Sequence, residues 1–201
     1  MQHTVKKPLE IILASSSPRR RQLLESLGIS FKIVPANFDE ESISFDGDPE
    51  EYVTILAKGK VDIIRKLHPK SFVLAADTTV YAFGKVINKP QDLNDAKKML
   101  TILSGATHTV YTGVALALGD TVQTAVERTE VRFFPLTEEQ IDTYVNTQHV
   151  LDKAGGYAIQ GAGALIVERI DGCYYNVVGL PLSTVSRLLS TFGCNLWEYV
   201  C

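Results

Sequence analysis

A mixed α/β protein, folded as one unit around a sheet with antiparallel hairpins, is predicted by three features of the sequence. Apolar residues switch along the chain between a repeat of two and a repeat near 3.6. Two long runs, Thr107–Leu118 and a partner ending near Phe134, face each other across the Gly119-Asp120 turn. No repeat, low-complexity tract or linker interrupts the 201 residues, so a single domain (1–201) in two lobes with a cleft is expected.

In chain order, Glu10–Ala14 is a short apolar strand, and Ser15-Ser16-Ser17-Pro18 opens a helix with Ser17 as N-cap, Pro18 at the first helical position and Gly28 as its stop. Phe31–Pro35 reads as a second strand. The acidic stretch Asn37–Glu51 is a loop that leads into a helix from about Pro49 to Leu67. Ser71–Ala76 is a buried strand, followed by Thr79–Phe83, a turn at Gly84-Lys85 and a continuation through Ile87. Asp92–Leu103 is helical, and so is Thr137–Asn146, where Thr137 and Gln140 have the spacing of a capping box. Leu165–Ile170 and Cys173–Val177 are read as a hairpin turning at Asp171-Gly172, and Pro181–Thr191 as a closing helix.

Composition narrows the function. Hydrophobic residues make up 45% and charged residues 21%, and 20 Lys+Arg against 23 Asp+Glu leave a formal charge of −3. That balance disfavours a broad nucleic-acid binder and leaves a compact basic patch as the feature to seek. Cys173, Cys194 and Cys201 form no CxxC pair, which suggests free thiols in a reducing compartment. No apolar run is long enough to span a membrane, and Met1–Pro8 lacks the apolar core of a leader, so the expected location is the cytoplasm.

Three segments break local rules. Ser15-Ser16-Ser17-Pro18-Arg19-Arg20-Arg21 crowds cations at the positive end of a helix dipole, where each is unfavourable by ~0.3–1 kcal/mol when exposed. Free helix N–H groups, serine hydroxyls and guanidinium forks suit a phosphate chain, while the plain alternative is a solvated arginine cluster. Ala75-Ala76-Asp77-Thr78-Thr79 delivers a carboxylate at a strand end, where Asp77 can bind a metal, accept a proton from water or simply cap a turn. Asp152–Gly163 is dense in glycine yet matches neither the P-loop nor G-x-G-x-x-G. Lys58, Lys60 and Lys89 are by default solvated, the four histidines have no zinc spacing, and no G-x-S-x-G elbow is present. Cations with isolated carboxylates such as Glu40 and Asp77 suit Mg²⁺-assisted chemistry on a phosphate ester or anhydride.

Five motifs in register, Leu13-Ala14-Ser15-x-Ser17-Pro18-Arg19-Arg20, Ala76-Asp77-Thr78, Asn88-Lys89-Pro90, Leu103-Ser104-Gly105-x3-His108-x-Val110-x-Thr112-Gly113-Val114 and Asp152-Lys153-Ala154-Gly155-Gly156-Tyr157-x-Ile159-Gln160-Gly161, resemble the Maf family of nucleoside triphosphate pyrophosphatases, also described as septum-formation proteins. The resemblance runs from about Ile11 to Leu189. It implies an elongated sheet flanked by helices, related to the inosine triphosphate pyrophosphatases, and cleavage of a nucleoside triphosphate to monophosphate and diphosphate with a divalent cation, Mg²⁺ or Mn²⁺. It further implies that Asp77 is the proton acceptor, that Arg19, Thr78 and Gln160 govern substrate choice, that Ser15, Arg20, Lys60 and Lys89 face phosphate, and that Glu40 lies near the metal with Asp77. Arg, Thr and Gln at the three choice positions resemble the dTTP/UTP subgroup, not the one similar to 7-methyl-GTP enzymes. The expected partner is a nucleoside triphosphate, with no nucleic acid and no membrane, and a homodimer is compatible with the sequence. The competing reading is a non-catalytic nucleotide sensor acting in septum formation. Two departures stand out: Ala75 where the family usually has Gly, and Asn88 in place of a usual Glu or Gly. Gly59, inside a predicted helix, costs ~1 kcal/mol relative to Ala and has no explanation at this level.

Overall fold

The structure, a computed structural model, describes residues 9–200; the segment read for a leader and Cys201 lie outside them. The elements in order are β1 (Ile11–Leu13), α1 (Pro18–Glu25), β2 (Phe31–Ile33), α2 (Pro49–Leu67), β3 (Phe72–Ala82), β4 (Lys85–Ile87), α3 (Leu93–Leu103), β5 (Thr107–Leu118), β6 (Thr121–Phe133), α4 (Glu138–Thr147), β7 (Val167–Asp171), α5 (Tyr174–Val178) and α6 (Leu182–Thr191). Six strands follow the order β2-β1-β3-β5-β6-β7, with β4 paired to β3 off this path. β1 is parallel to β2 and β3, whereas β4, β5, β6 and β7 join by antiparallel pairing. The mixed α/β prediction therefore holds.

Helix starts follow local chemistry. Ser17, Asp48, Asp92 and Thr137 each accept a hydrogen bond from a first-turn backbone N–H, and Thr137 with Gln140 completes the capping box. The period of two then divides β3 between its faces. Val73 and Ala75 pack under Ala57, Val61 and Ile64 of α2, while Leu74 and Ala76 pack with Leu23 and Leu24 of α1 and Val185, Leu188 and Leu189 of α6. Farther along, Val80 and Ala82 join a separate core with Leu100 and Leu103 of α3 and Ile141 and Val145 of α4. One strand thus runs through two packed ends, and its polar stretch Asp77-Thr78-Thr79 lies between them.

Two expectations are corrected. β3 does not end at Ala76: Asp77, Thr78 and Thr79 continue it, in register with Gly113, Thr112 and Tyr111 of β5. The strand continues because the side chains of Asp77 and Thr78 find protein partners and β5 satisfies the backbone on that edge, although the buried Thr79 hydroxyl has no hydrogen-bond partner. Cys173–Val177 is not a strand. Tyr174–Val178 is helical and stops at Gly179, whose φ of 117° is left-handed, with Leu180 N–H bonded to Tyr175 O. The strand propensity of Tyr and Val there is overridden by Asn176, whose buried amide donates to Val110 O at 3.0 Å and Thr129 Oγ1 at 2.9 Å. The partner strand of β7 is β6 instead. Among the described residues, no helix is long and apolar enough to cross a membrane.

Candidate active site

The cleft arises from a gap in strand pairing. One edge of β3 pairs with β5 from Phe72 to Tyr81, but the other pairs with β1 only over Phe72–Leu74 and with β4 only over Val80–Ala82. Between these partners the edge at Asp77–Thr79 is open to the cavity, and the strand's alternation sends Asp77 toward α2 and Thr78 toward α1. At the register position of Asp77 stands Gly113, where a Cβ would lie 2.3 Å from Val53 O; its bare backbone lets α2 sit directly on the sheet.

On the α2 side, Lys60 Nζ lies 2.5 Å from Asp77 Oδ1 and 2.7 Å from Glu40 Oε1, and Lys89 Nζ lies 3.4 Å from Glu40 Oε2. Lys60 and Asp77 are both buried. The default reading of Lys60 as a solvated lysine is therefore wrong, because α2 turns it inward onto two carboxylates. Burial pushes the Glu40 carboxyl up, but the charges and hydrogen bonds of Lys60 and then Lys89 outweigh it and hold its pKa below the ordinary value.

On the α1 side, the guanidinium of Arg20 is held by three acceptors: Gly179 O at 2.7 Å from Nε, Thr78 Oγ1 at 3.0 Å from Nη2 and Ser15 Oγ at 3.4 Å from Nη1. Burial lowers its pKa from the usual guanidinium value, with the nearby Asp77 charge opposing. The three arginines of the helix start divide. Arg19 reaches Asp152 Oδ2 at 3.3 Å, whereas exposed Arg21 pairs with Glu25 on its own helix and takes no part in the cavity.

The glycine-dense segment Asp152–Gly163 forms the facing wall. Gly155 N–H donates to Asn88 O, the Tyr157 hydroxyl meets His108 Nε2 at 2.8 Å, and Ala158 N–H donates to the Tyr144 hydroxyl. These ties make it an anchored wall, with exposed Gln160 lining the cavity at its far end. Asn88, one of the departures from the family pattern, is exposed, lines the cavity and hydrogen-bonds Tyr52 of α2 with its side chain.

All nine sequence-predicted site residues, Ser15, Arg19, Arg20, Glu40, Lys60, Asp77, Thr78, Lys89 and Gln160, line one cavity of about 660 Å³, inside the ~300–1,000 Å³ range of small-molecule sites. Sequence reasoning missed Tyr52, Thr112 and the carbonyl of Gly179. Thr112 stood only as a strand residue within a family motif, Tyr52 carries no signal that separates it from the other aromatic residues, and a backbone acceptor leaves no trace in residue type. For a divalent cation, the donor set is right in kind: Glu40 and Asp77 are hard carboxylate ligands, and Mg²⁺ commonly takes one or two such groups and completes its shell with substrate phosphates. Among the described residues no three metal-ligating side chains cluster, so an all-protein cage is absent there.

An α/β sheet opened at one strand edge, with cations, hydroxyls and a buried carboxylate around the opening, is the kind of site whose chemistry suits a compact polyanion. The Maf-like protein family matches residues 10–192, and the chain belongs to that family. A dTTP/UTP pyrophosphatase of Clostridium perfringens strain SM101 is 47% identical over 191 residues, covering 94% of this chain and 100% of that protein. A dTTP/UTP pyrophosphatase of Halalkalibacterium halodurans is 49% identical over 187 residues, covering 93% and 97%. Among solved structures, the Staphylococcus aureus Ham1 protein aligns with a TM-score of 0.44 at 14% identity, over 62% of this chain and 71% of that one.

Proposed function

We propose that this chain hydrolyses dTTP and UTP to the nucleoside monophosphate and diphosphate with the help of a divalent cation. The observation that carries the reading is the convergence of nine residues from separate segments on one cavity, together with near-full-length relatives that bear that activity in their names. In this reading water attacks the α-phosphorus, the bond to the bridging oxygen breaks, and diphosphate leaves. Asp77 takes the proton from water. Lys60 engages its Oδ1, which holds the carboxylate in place and leaves Oδ2 to receive the proton. Arg20, Lys60 and Lys89, with the Ser15 hydroxyl, balance the phosphate charge and the charge that develops in the transition state. Glu40 and Asp77 would hold the cation, which supplies charge neutralisation at the phosphates. Arg19, Thr78 and Gln160 read the pyrimidine, and clash excludes a purine. The enzyme acts in the cytoplasm on a free nucleotide.

Purified protein with Mg²⁺ or Mn²⁺ is incubated with dTTP, UTP, CTP, purine triphosphates and 7-methyl-GTP, and diphosphate is measured. dTTP and UTP should lead, and Asp77→Asn should stay folded while turnover is lost. Folded Asp77→Asn with substantial activity refutes the base. Tight triphosphate binding without diphosphate release under any divalent cation would favour the sensor reading.

A further inference from the structure

We infer that Thr112, a buried residue of β5 that does not line the cavity, is a positioning residue for base recognition: it fixes the Thr78 hydroxyl as a hydrogen-bond acceptor toward the cavity, so that the pocket selects pyrimidines carrying a proton on N3.

The direction of each hydrogen bond follows from what its end groups can do. Thr112 Oγ1 lies 3.1 Å from the carbonyl of Asn176 and 2.9 Å from Thr78 Oγ1. In the arrangement inferred, Thr112 donates its single proton to the carbonyl of Asn176, which only accepts. Thr112 must then accept from Thr78, since two hydroxyl oxygens at that separation repel unless a proton lies between them. At its other side Thr78 Oγ1 accepts from Arg20 Nη2 at 3.0 Å, and a guanidinium only donates. The remaining neighbour of Thr78 is Gly179 O at 3.5 Å, a weaker acceptor that already receives Arg20 Nε at 2.7 Å. Of the two acceptors within reach of the Thr78 proton, Thr112 is the nearer and fully buried, while Gly179, which lines the cavity, stands at the limit of hydrogen-bond distance. One lone pair is left for a ligand.

The inner end of this chain is held in place. The Asn176 carbonyl belongs to a buried residue of α5 whose side chain is pinned by Val110 O and Thr129 Oγ1. Thr112 is itself fully buried, so no water competes for its proton. This inference rests on the function proposed above, with Thr78 facing the base. An acceptor matches the N3–H of uracil or thymine, whereas the N3 of cytosine is itself an acceptor and would meet lone pair against lone pair. Gln160 does not make this distinction, because its amide can turn to offer either sense.

The test measures kcat and KM for UTP, CTP and 3-methyl-UTP, which lacks the N3 proton, in wild type, Thr112→Val, Thr112→Ser and Thr78→Val. Wild type should prefer UTP over both others by about tenfold or more in kcat/KM, the loss expected when a buried polar group goes unpaired. Thr112→Val, isosteric but without the acceptor, should shrink the UTP-to-CTP ratio mainly through the KM for UTP. Thr112→Ser should restore it. Should Thr112→Val fail to fold, Thr78→Val removes the same acceptor from the cavity side and should lose the UTP preference. A wild type that cleaves CTP or 3-methyl-UTP as well as UTP overturns the inference while leaving the hydrolase reading intact, and so does a folded Thr112→Val with the wild-type ratio. If wild type cleaves no triphosphate, the hydrolase reading falls; equal dissociation constants for UTP and CTP would then overturn this inference too.

Discussion

Replacing Lys60 by methionine removes the one ammonium that bridges Asp77 and Glu40 while keeping most of the side-chain stem. Its side chain is 9% exposed and that of Asp77 is 11%, with contacts of 2.5 Å to Asp77 and 2.7 Å to Glu40. Breaking a buried pair by deleting one partner leaves uncompensated charge and costs ~3–5 kcal/mol. Here Lys89, 3.4 Å from Glu40, still screens one carboxylate, so the low end applies, about 3 kcal/mol. For a domain of this size that is a fall in Tm of roughly 6–12 °C. The loss should depend on pH. Glu40 has its folded pKa held below the ordinary 4.5, so its share of the stabilisation is complete above that value and disappears as pH falls through the lower folded one. Urea melts of wild type and Lys60→Met in steps from pH 7 to about pH 3 should therefore show a large deficit that shrinks on acidification. Equal stability at pH 7, or an undiminished deficit at low pH, refutes the bridged arrangement.

Gly59→Ala should destabilise despite the ~1 kcal/mol that alanine usually gains in a helix, since its Cβ would lie 2.4 Å from the ring of Phe38 and such overpacking costs ~1–3 kcal/mol. In a Phe38→Ala background the same change should stabilise, and a urea double-mutant cycle separates the two outcomes. His108 is buried and its pKa is pushed down to about 4, so between roughly pH 6.5 and 4 the unfolded chain binds a proton that the folded one refuses. Stability should fall by about 3 kcal/mol on acidification over that interval, and Gln at position 108 should flatten the curve. An imidazole titration by NMR with a midpoint near its unperturbed value would contradict this.

The resemblance carried by five motifs made the site residues readable without any coordinates, and all nine meet in one cavity. What they do to one another was not readable. Lys60 looked like a surface lysine, because periodicity along α2 says only that one stripe is apolar and not which polar residue that stripe's edge turns onto a buried carboxylate. Arg21 looked equivalent to Arg19 and Arg20, yet successive helix positions point about 100° apart, and only two of the three face the cleft. Gly59 looked like a defect until Phe38, 21 positions earlier, was found against it.

Local chemistry determined where helices begin, which strands alternate and that the fold mixes helix with sheet, since caps, turns and periodicity act over a few residues. It erred at Tyr174–Val178, where residues of high strand propensity form a helix because the Asn176 amide satisfies buried groups on β5 and β6. It also broke β3 at Asp77, which only pairing with β5 carries through. The opening of the cleft is likewise a tertiary fact. It exists because β1 stops after Leu74 and β4 starts at Val80, so neither supplies hydrogen bonds to the edge between. The residue types for binding a polyphosphate are written in the chain, but the unpaired stretch of strand that brings them together depends on partners distant in sequence.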